Sequence, residues 1–378
     1  MVPRNLRPML FLFAAVAQSA APAEPGVTRD AILIGQSAPL SGVNAPLGVE
    51  QRDGALAYFE FINKQGGLHG RKIVLKTIDD GYVPARTAAN VKTLIEEDRV
   101  FALFFLRGTS HVAEAVKVFV PAKVPLFSCS CGALSLREPL NPYLFHTRAS
   151  FQDETDRIME YLATTGVKKI AIFYQTDGFG KEGQLASERA ARRIGTNIIA
   201  QGGVEPNSVD VAKAVADVAK AEPQAVIMYT LFKPAVEFVR QMKKAGANPT
   251  FIALSPVGTN GLIKELGPDS RGIVVSQTVP YPWSPSTPVV KEYLNILKEN
   301  PQTPVGFSTM EAYIAAKVLV EGLRRAGKDL TRAKLIRVME SMKSYDAGGY
   351  QVSFSPTNHN GSTYVDLTVI GEGGRVMR

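Results

Sequence analysis

Short apolar runs alternate with amphipathic helical stretches along most of this chain, and the series is played twice. AILIGQ (31–36), KIVLKTID (72–79), VFALFF (100–105) and VPLFS (124–128) are β-branched or aromatic runs bounded by turn residues, and read as strands. Between them GALAYFEFINKQ, PARTAANVKTLIEED and HVAEAVKVF space their apolar residues three and four apart, the helical period. Strands that are apolar on both faces and separated by helices predict a parallel sheet covered on both sides. A polar passage, HTRASFQDET (146–155), precedes a second series: KIAIFY (169–174), TNIIAQG (196–202), QAVIMYT (224–230), PTFIALS (249–255) and RGIVVSQ (271–277). The expected fold class is α/β, with two Rossmann-like lobes, each a mostly parallel sheet flanked by helices. The tail departs from this: helices around MEAYIAAKVLVEGLRRAG and TRAKLIRVMESM precede GYQVSF and TYVDLTVI, which read as an antiparallel pair of strands.

The 378 residues allow two cores, and 45% hydrophobic with 21% charged residues is a globular composition, not a disordered or fibrous one. The net charge of +8 is spread through the helices. No basic run interleaved with aromatics is present, so a nucleic-acid partner is not expected. A modest positive potential favours anionic small ligands. At the start, Arg4 and Arg7 precede MLFLFAAVA and then Ala21-Pro22-Ala23. A positive end, a short apolar core and a small-x-small site together predict a secretory signal peptide over residues 1–23, cleaved after Ala23. No later stretch approaches the roughly 20 apolar residues of a membrane helix, so a soluble, exported, periplasmic protein is expected.

In open parallel sheets, ligands bind beyond the C-terminal strand ends, where loops and helix N-termini offer free N–H groups. That rule selects the loops 37–48, 80–84, 106–111, 128–133, 175–180, 230–234 and 255–260. Leu47 and Tyr82 are the candidates in the first two. Gly108-Thr109-Ser110 offers hydroxyls and N–H groups ahead of a helix, and Ser128-Cys129-Ser130-Cys131-Gly132 follows the neighbouring strand. Together they could cradle a carboxylate without a covalent step, with Arg107 adding a charge.

Other chemistry fits less well. The four histidines (69, 111, 146, 359) are far apart in sequence, and Cys129 and Cys131 have no partner CxxC, so neither a metal nor any other cofactor is expected. A disulfide between residues two apart would be strained, and no histidine is evidently placed to activate either cysteine. Reduced, buried, passive thiols are the expectation. Gly178-Phe179-Gly180-Lys181-Glu182-Gly183 matches G-x-G-x-x-G literally. However, three residues separate it from its strand, and no acid at Ala200-Gln201 could hold a ribose, so a loop and helix start is preferred to a nucleotide site.

The chain resembles the periplasmic solute-binding proteins of the leucine/isoleucine/valine type, which feed ABC importers. The resemblance is carried by IGQSAPLSG (34–42), INKQGGLHGRKI (62–73), DDGYVPARTAANVKTLIEED (79–98), Gly108-Thr109-Ser110, LFHTRAS (144–150), KKIAIFYQTDGFGKEG (168–183) and MEAYIAAKVLVEGL (310–323). It implies a type I periplasmic binding fold whose lobes close over a ligand about three strand crossovers, near 146–149, 278–279 and 352. Lobe one would be 24–147 plus 279–351, and lobe two 148–278 plus 352–378. It also implies a monomeric, non-enzymatic receptor that hands its solute to an ABC permease in the inner membrane. A ligand sensor of the same fold is the alternative, and a Rossmann-type nucleotide-dependent enzyme a more distant one. Carried across by resemblance, the ligand carboxylate is held by Thr109 and by Ser130, Cys131 and Gly132. Phe179 takes the place of a stacking tyrosine, and the next cleft loop brings Leu231 or Phe232. The acid that grips an α-amino group should fall at Ser255 or Pro256, where this chain has none. The expectation is therefore a carboxylate with an apolar or aromatic body.

Overall fold

The computed structural model describes residues 24–378; the segment read as an export signal lies outside the described residues. The first sheet comprises β1 (Ala31–Ala38), β2 (Lys72–Asp79), β3 (Ala102–Arg107), β4 (Leu126–Ser130) and β5 (Leu144–Phe145), all parallel, in the order β2-β1-β3-β4-β5. Its connections are α1 (Ala45–Lys64), α2 (Pro84–Glu96) and α3 (Thr109–Phe119). The second series runs α4 (Phe151–Thr164), β6 (Lys169–Gln175), α5 (Gly178–Ile194), β7 (Asn197–Val204), α6 (Ala212–Ala219), β8 (Ala225–Tyr229), α7 (Phe232–Lys244), β9 (Thr250–Ala253), α8 (Thr259–Leu266) and β10 (Val274–Gln277). These strands pair in the order β7-β6-β8-β9-β10, the same winding as the first sheet. The central strands β3 and β8 are buried along their whole length, whereas the edge strands β2 and β7 alternate with solvent. That difference is why the central runs read as continuous apolar segments.

The chain then returns with α9 (Pro288–Lys298), α10 (Phe307–Ala326) and α11 (Arg332–Glu340), which pack on the first sheet's α1 side. Helix α10 is buried around most of its circumference, and Tyr58, Tyr293 and Tyr313 stack edge-on between it, α1 and α9. A short hairpin, β11 (Tyr345–Asp346) with β12 (Gln351–Val352), is followed by β13 (Asp366–Ile370) and β14 (Val376–Met377). Here the structure corrects the sequence reading: GYQVSF does not pair with TYVDLTVI. The latter instead joins the second sheet, antiparallel to β10, with β14 antiparallel beyond it.

The chain therefore passes between the two sheets three times: after β5, after β10 and after β12. The passages lie side by side. His146 N–H donates to the His359 carbonyl (2.9 Å), and Gly361 N–H donates to the His146 carbonyl (2.7 Å). The Tyr350 hydroxyl reaches the carbonyls of Thr147 (2.8 Å) and Thr278 (3.1 Å), tying all three together.

The glycines of 178–183 have packing duties. A Cβ on Gly180 would lie 1.8 Å from the Gln175 carbonyl oxygen, and one on Gly183 would lie 2.2 Å from the Tyr229 ring. The N-terminus of α5 is already occupied by a carboxylate, since Asp177 accepts from the N–H groups of Phe179 (3.0 Å) and Gly180 (3.3 Å). A helix end capped in this way has little left to offer a phosphate. Gly180→Ala should accordingly lower unfolding stability by about 1–3 kcal/mol, the cost of overpacking. Urea denaturation checks this, and a midpoint unchanged from the parent would contradict it.

Candidate functional site

The winding of both sheets places the C-terminal ends of β3 and β4 opposite those of β6 and β8. Between them lies a void lined by Tyr82, Arg107, Gly108, Thr109, Ser130, Phe151, Phe179, Leu231 and Pro256. In this closed arrangement the void measures about 10 Å³, room for roughly one water, against the 300–1,000 Å³ of ordinary small-molecule sites. Admitting a solute requires the walls to part.

The walls meet through a set of cross-lobe hydrogen bonds. Arg107 Nη2 donates to the Pro256 carbonyl (2.7 Å), and Gly178 N–H donates to Ser110 Oγ (3.0 Å). Asn44 Nδ2 donates to Asn207 Oδ1 (2.9 Å), while Asn207 Nδ2 donates to the Tyr82 carbonyl (3.1 Å). Apolar packing accompanies them across the same boundary, with Leu47 against Gly258.

Of the residues singled out from sequence, Tyr82, Arg107, Thr109, Ser130, Phe179, Leu231 and Pro256 come together around the void. Arg107 ends β3 and is buried; its Nη1 donates to Ser130 Oγ (3.1 Å). No carboxylate pairs with it among the described residues, and its Nε, like Thr109 Oγ1, is buried without a hydrogen-bond partner. Burial lowers the Arg107 pKa from its ordinary value, but a guanidinium remains protonated in proteins. Glu311 and Glu50 act on Arg107 from a distance, but a buried cation with no carboxylate in contact, beside two unbonded polar atoms, is costly unless an anion completes it. Phe105 and Ser128, neighbours on β3 and β4, hold left-handed φ values of 49° and 59° just before Arg107 and Ser130. Backbone strain of this sort gathers where side chains must be aimed.

The other six fall elsewhere. Ser110 is engaged with Asp177 and Gly178 across the lobe boundary. Leu47 packs on Gly258. Phe232 lines a different and larger cavity. Ser255 donates its N–H to Glu154 (2.9 Å) and accepts from Arg148 Nη2 (2.7 Å). Cys131 and Gly132 stand behind the wall; a Cβ on Gly132 would meet the Phe151 ring at 2.6 Å, so Gly132 makes room for that ring. Phe151 itself was missed from sequence. It stacks obliquely on Phe179 (4.8 Å between centroids). Its signal was the Ser150-x-x-Asp153 capping box, which starts α4 at the end of the first passage.

The cysteines also depart from expectation. Cys129 and Cys131 form a disulfide, fully buried. His146 lies beside it, with Nδ1 3.7 Å from Cys129 Sγ, because the first passage runs alongside β4. The two sulfurs and the ring nitrogen fall within 4.8 Å of one another. Bonded to each other, the sulfurs are not metal ligands.

Behind the void sits a buried ionic cluster. Arg148 pairs with Glu154 and with Glu311 (3.1 Å), and Glu154 also accepts from Ser276 Oγ (2.6 Å). Glu154 is the acid nearest to Ser255, and it is already in contact with Arg148, which it shares with Glu311. His111 stacks against Tyr82 (4.3 Å) with both ring nitrogens unbonded, and burial pushes its pKa down to about 4. Its folded value lies below the ordinary 6.5, so the folded protein loses stability as pH falls from 6.5 toward 4, by about 3 kcal/mol. His111→Phe should flatten that part of the stability–pH curve relative to the parent. Identical slopes in urea midpoints across this window would count against it.

The sequence matches the Periplasmic binding protein family over residues 31–375. The fold is similar to a substrate-binding periplasmic protein from Ralstonia solanacearum, at 32% identity and TM-score 0.87, covering 92% of this chain and 99% of that one. It is also similar to a possible leucine/isoleucine/valine-binding protein from Rhodopirellula baltica SH 1, at 30% identity and TM-score 0.88, covering 92% and 96%. Among curated proteins, Leu/Ile/Val-binding protein homolog 8 of Brucella abortus (strain 2308) is 24% identical over 350 residues, 87% of this chain and 85% of the relative. A match of this span, on a fold of two parallel-sheet lobes flanked by helices, shows that the chain belongs to the periplasmic binding protein family, whose members bind solutes.

Proposed function

We propose that this protein is the periplasmic receptor of an ABC importer of the branched-chain-amino-acid type, binding a small carboxylate-bearing solute between its lobes and delivering it to the permease. The observation that carries this reading is Arg107: a buried guanidinium without an ion-pair partner among the described residues, turned into the same void as Thr109 and Ser130. A carboxylate there would accept charge-assisted hydrogen bonds from Arg107 and neutral ones from both hydroxyls. The relatives named for leucine, isoleucine and valine support a carboxylate ligand. For an amino acid, an acid facing the void would have to receive the ammonium group. Glu154 is held by Arg148, Ser255 and Ser276 instead. Phe151, Phe179, Leu231 and Pro256 form an apolar remainder. A carboxylate with an aliphatic or aromatic body suits these walls better than a zwitterion.

In this reading the solute first meets the donors of the first lobe. Rotation about the three adjacent passages then brings Phe179, Leu231 and Pro256 onto it, a hinge closure that buries the solute. Arg107 would exchange its bond to the Pro256 carbonyl for the solute. No residue is assigned a bond-breaking role. A calorimetric panel of aliphatic acids, aromatic acids and amino acids tests the ligand class. The expected result is tighter binding of a monocarboxylate than of leucine. Tight leucine binding with no response to any simple acid would overturn it.

A further inference from the structure

A second cavity, of about 800 Å³, lies between the same two lobes and falls within the size range of small-molecule sites. From the first-lobe side it is lined by Glu50 of α1 and by Val305, just before α10; Phe232 and Asn260 face them from the second. Tyr281 and Trp283, on the passage from β10 to α9, complete it. Trp283 stands edge-on to Tyr281 (5.2 Å) and Phe307 (5.3 Å), so its ring is held in place.

The charges of this cavity are unevenly matched. Lys233 is already paired with Glu265 (2.7 Å), and Lys264 and Arg375 are exposed at the mouth, where solvent screens them. Glu50 has no ion-pair partner among the described residues. Burial raises its pKa above the ordinary carboxylate value, opposed by the neighbouring Ser308, Arg107 and Asn260 side chains. The inner void thus offers a cation to its guest, whereas this cavity offers a carboxylate beside aromatic faces.

We propose that the larger cavity is a second binding site, one that takes a small organic ammonium with an apolar body. Glu50 is the counter-charge and Trp283 supplies the cation–π face, while Phe232 and Tyr281, over which Lys233 (5.5 Å) and Arg378 (5.6 Å) already lie, supply apolar contact. The proposal does not depend on what the inner void binds.

Trp283 is the chain's only tryptophan, so its emission reports on this cavity directly. Benzylamine, titrated into the intact mature protein, should change that emission saturably. Benzoate and benzyl alcohol, which share its ring but not its charge, should bind at least about tenfold more weakly. Glu50→Gln should weaken benzylamine by a similar factor, and Val305→Phe, which narrows the cavity with Glu50 in place, should do the same. The proposal is overturned if benzylamine gives no saturable change, if benzoate binds as tightly, or if both variants, folded by circular dichroism, bind benzylamine as the parent does.

Discussion

Arg107→Met is expected to weaken binding of a carboxylate solute at least about 30-fold while leaving the fold almost as stable as before. Removing one partner of a buried, hydrogen-bonded charge pair costs about 2–5 kcal/mol of binding, a loss of roughly 30-fold or more in affinity. For stability the terms oppose one another. The variant forfeits the bonds to Ser130 Oγ and the Pro256 carbonyl, each worth about 1 kcal/mol. It also relieves the burial of a cation that no carboxylate contacts among the described residues. The net change in unfolding free energy should fall within about 1 kcal/mol of zero. Titration calorimetry and urea denaturation on the same preparation separate the two effects. A variant that keeps its affinity, or one that loses affinity only because it unfolds, would remove Arg107 from the role given to it here.

Arg148→Met should do the reverse and strike stability first. Among the described residues its guanidinium is the one cation paired with both Glu154 and Glu311, where the first passage between the sheets enters α4. Taking one member from such a buried cluster costs about 3–5 kcal/mol, a large share of the roughly 5–15 kcal/mol that holds a typical domain folded. The deficit should depend on pH in a definite direction. Burial already raises the Glu311 pKa, with Arg148 opposing the rise; without Arg148 the folded value moves higher still. A carboxyl with a raised folded value adds stability below its unfolded value, and loses it as pH rises through the folded one. The deficit of the variant should therefore shrink as pH falls toward the ordinary glutamate value of 4.5. A deficit that grows on acidification would contradict this account of the cluster.

Sequence made the two parallel sheets legible because their central strands are apolar on both faces, and β3 and β8 leave no other reading. It also made the Arg107, Thr109 and Ser130 side of the void legible, because strand-end residues of a doubly wound sheet point to one edge. Second-lobe residues were harder. Leu231 and Phe232 are adjacent, but at the start of α7 one residue turns a side chain by about 100°, which sends Phe232 into the larger cavity. Ser255 is next to Pro256 in sequence, yet its hydroxyl is claimed by Arg148 and Glu154, residues about a hundred positions earlier. The disulfide depends on local backbone geometry around Ser130 that spacing alone does not reveal. The tail strands alternate well enough to be recognised as strands. Alternation says nothing about which sheet they join, and β13 joined β10.

On the proposed reading the cleft grasps an acid through unreactive donors and returns it unchanged. Native mass spectrometry of the mature protein as isolated tests it most directly, with the guest then released by denaturation and identified. The account predicts a small carboxylic acid, lost from the Arg107→Met protein and unaltered by prolonged incubation with the parent. A guest without a carboxyl group, or one converted by the protein into another compound, would contradict it.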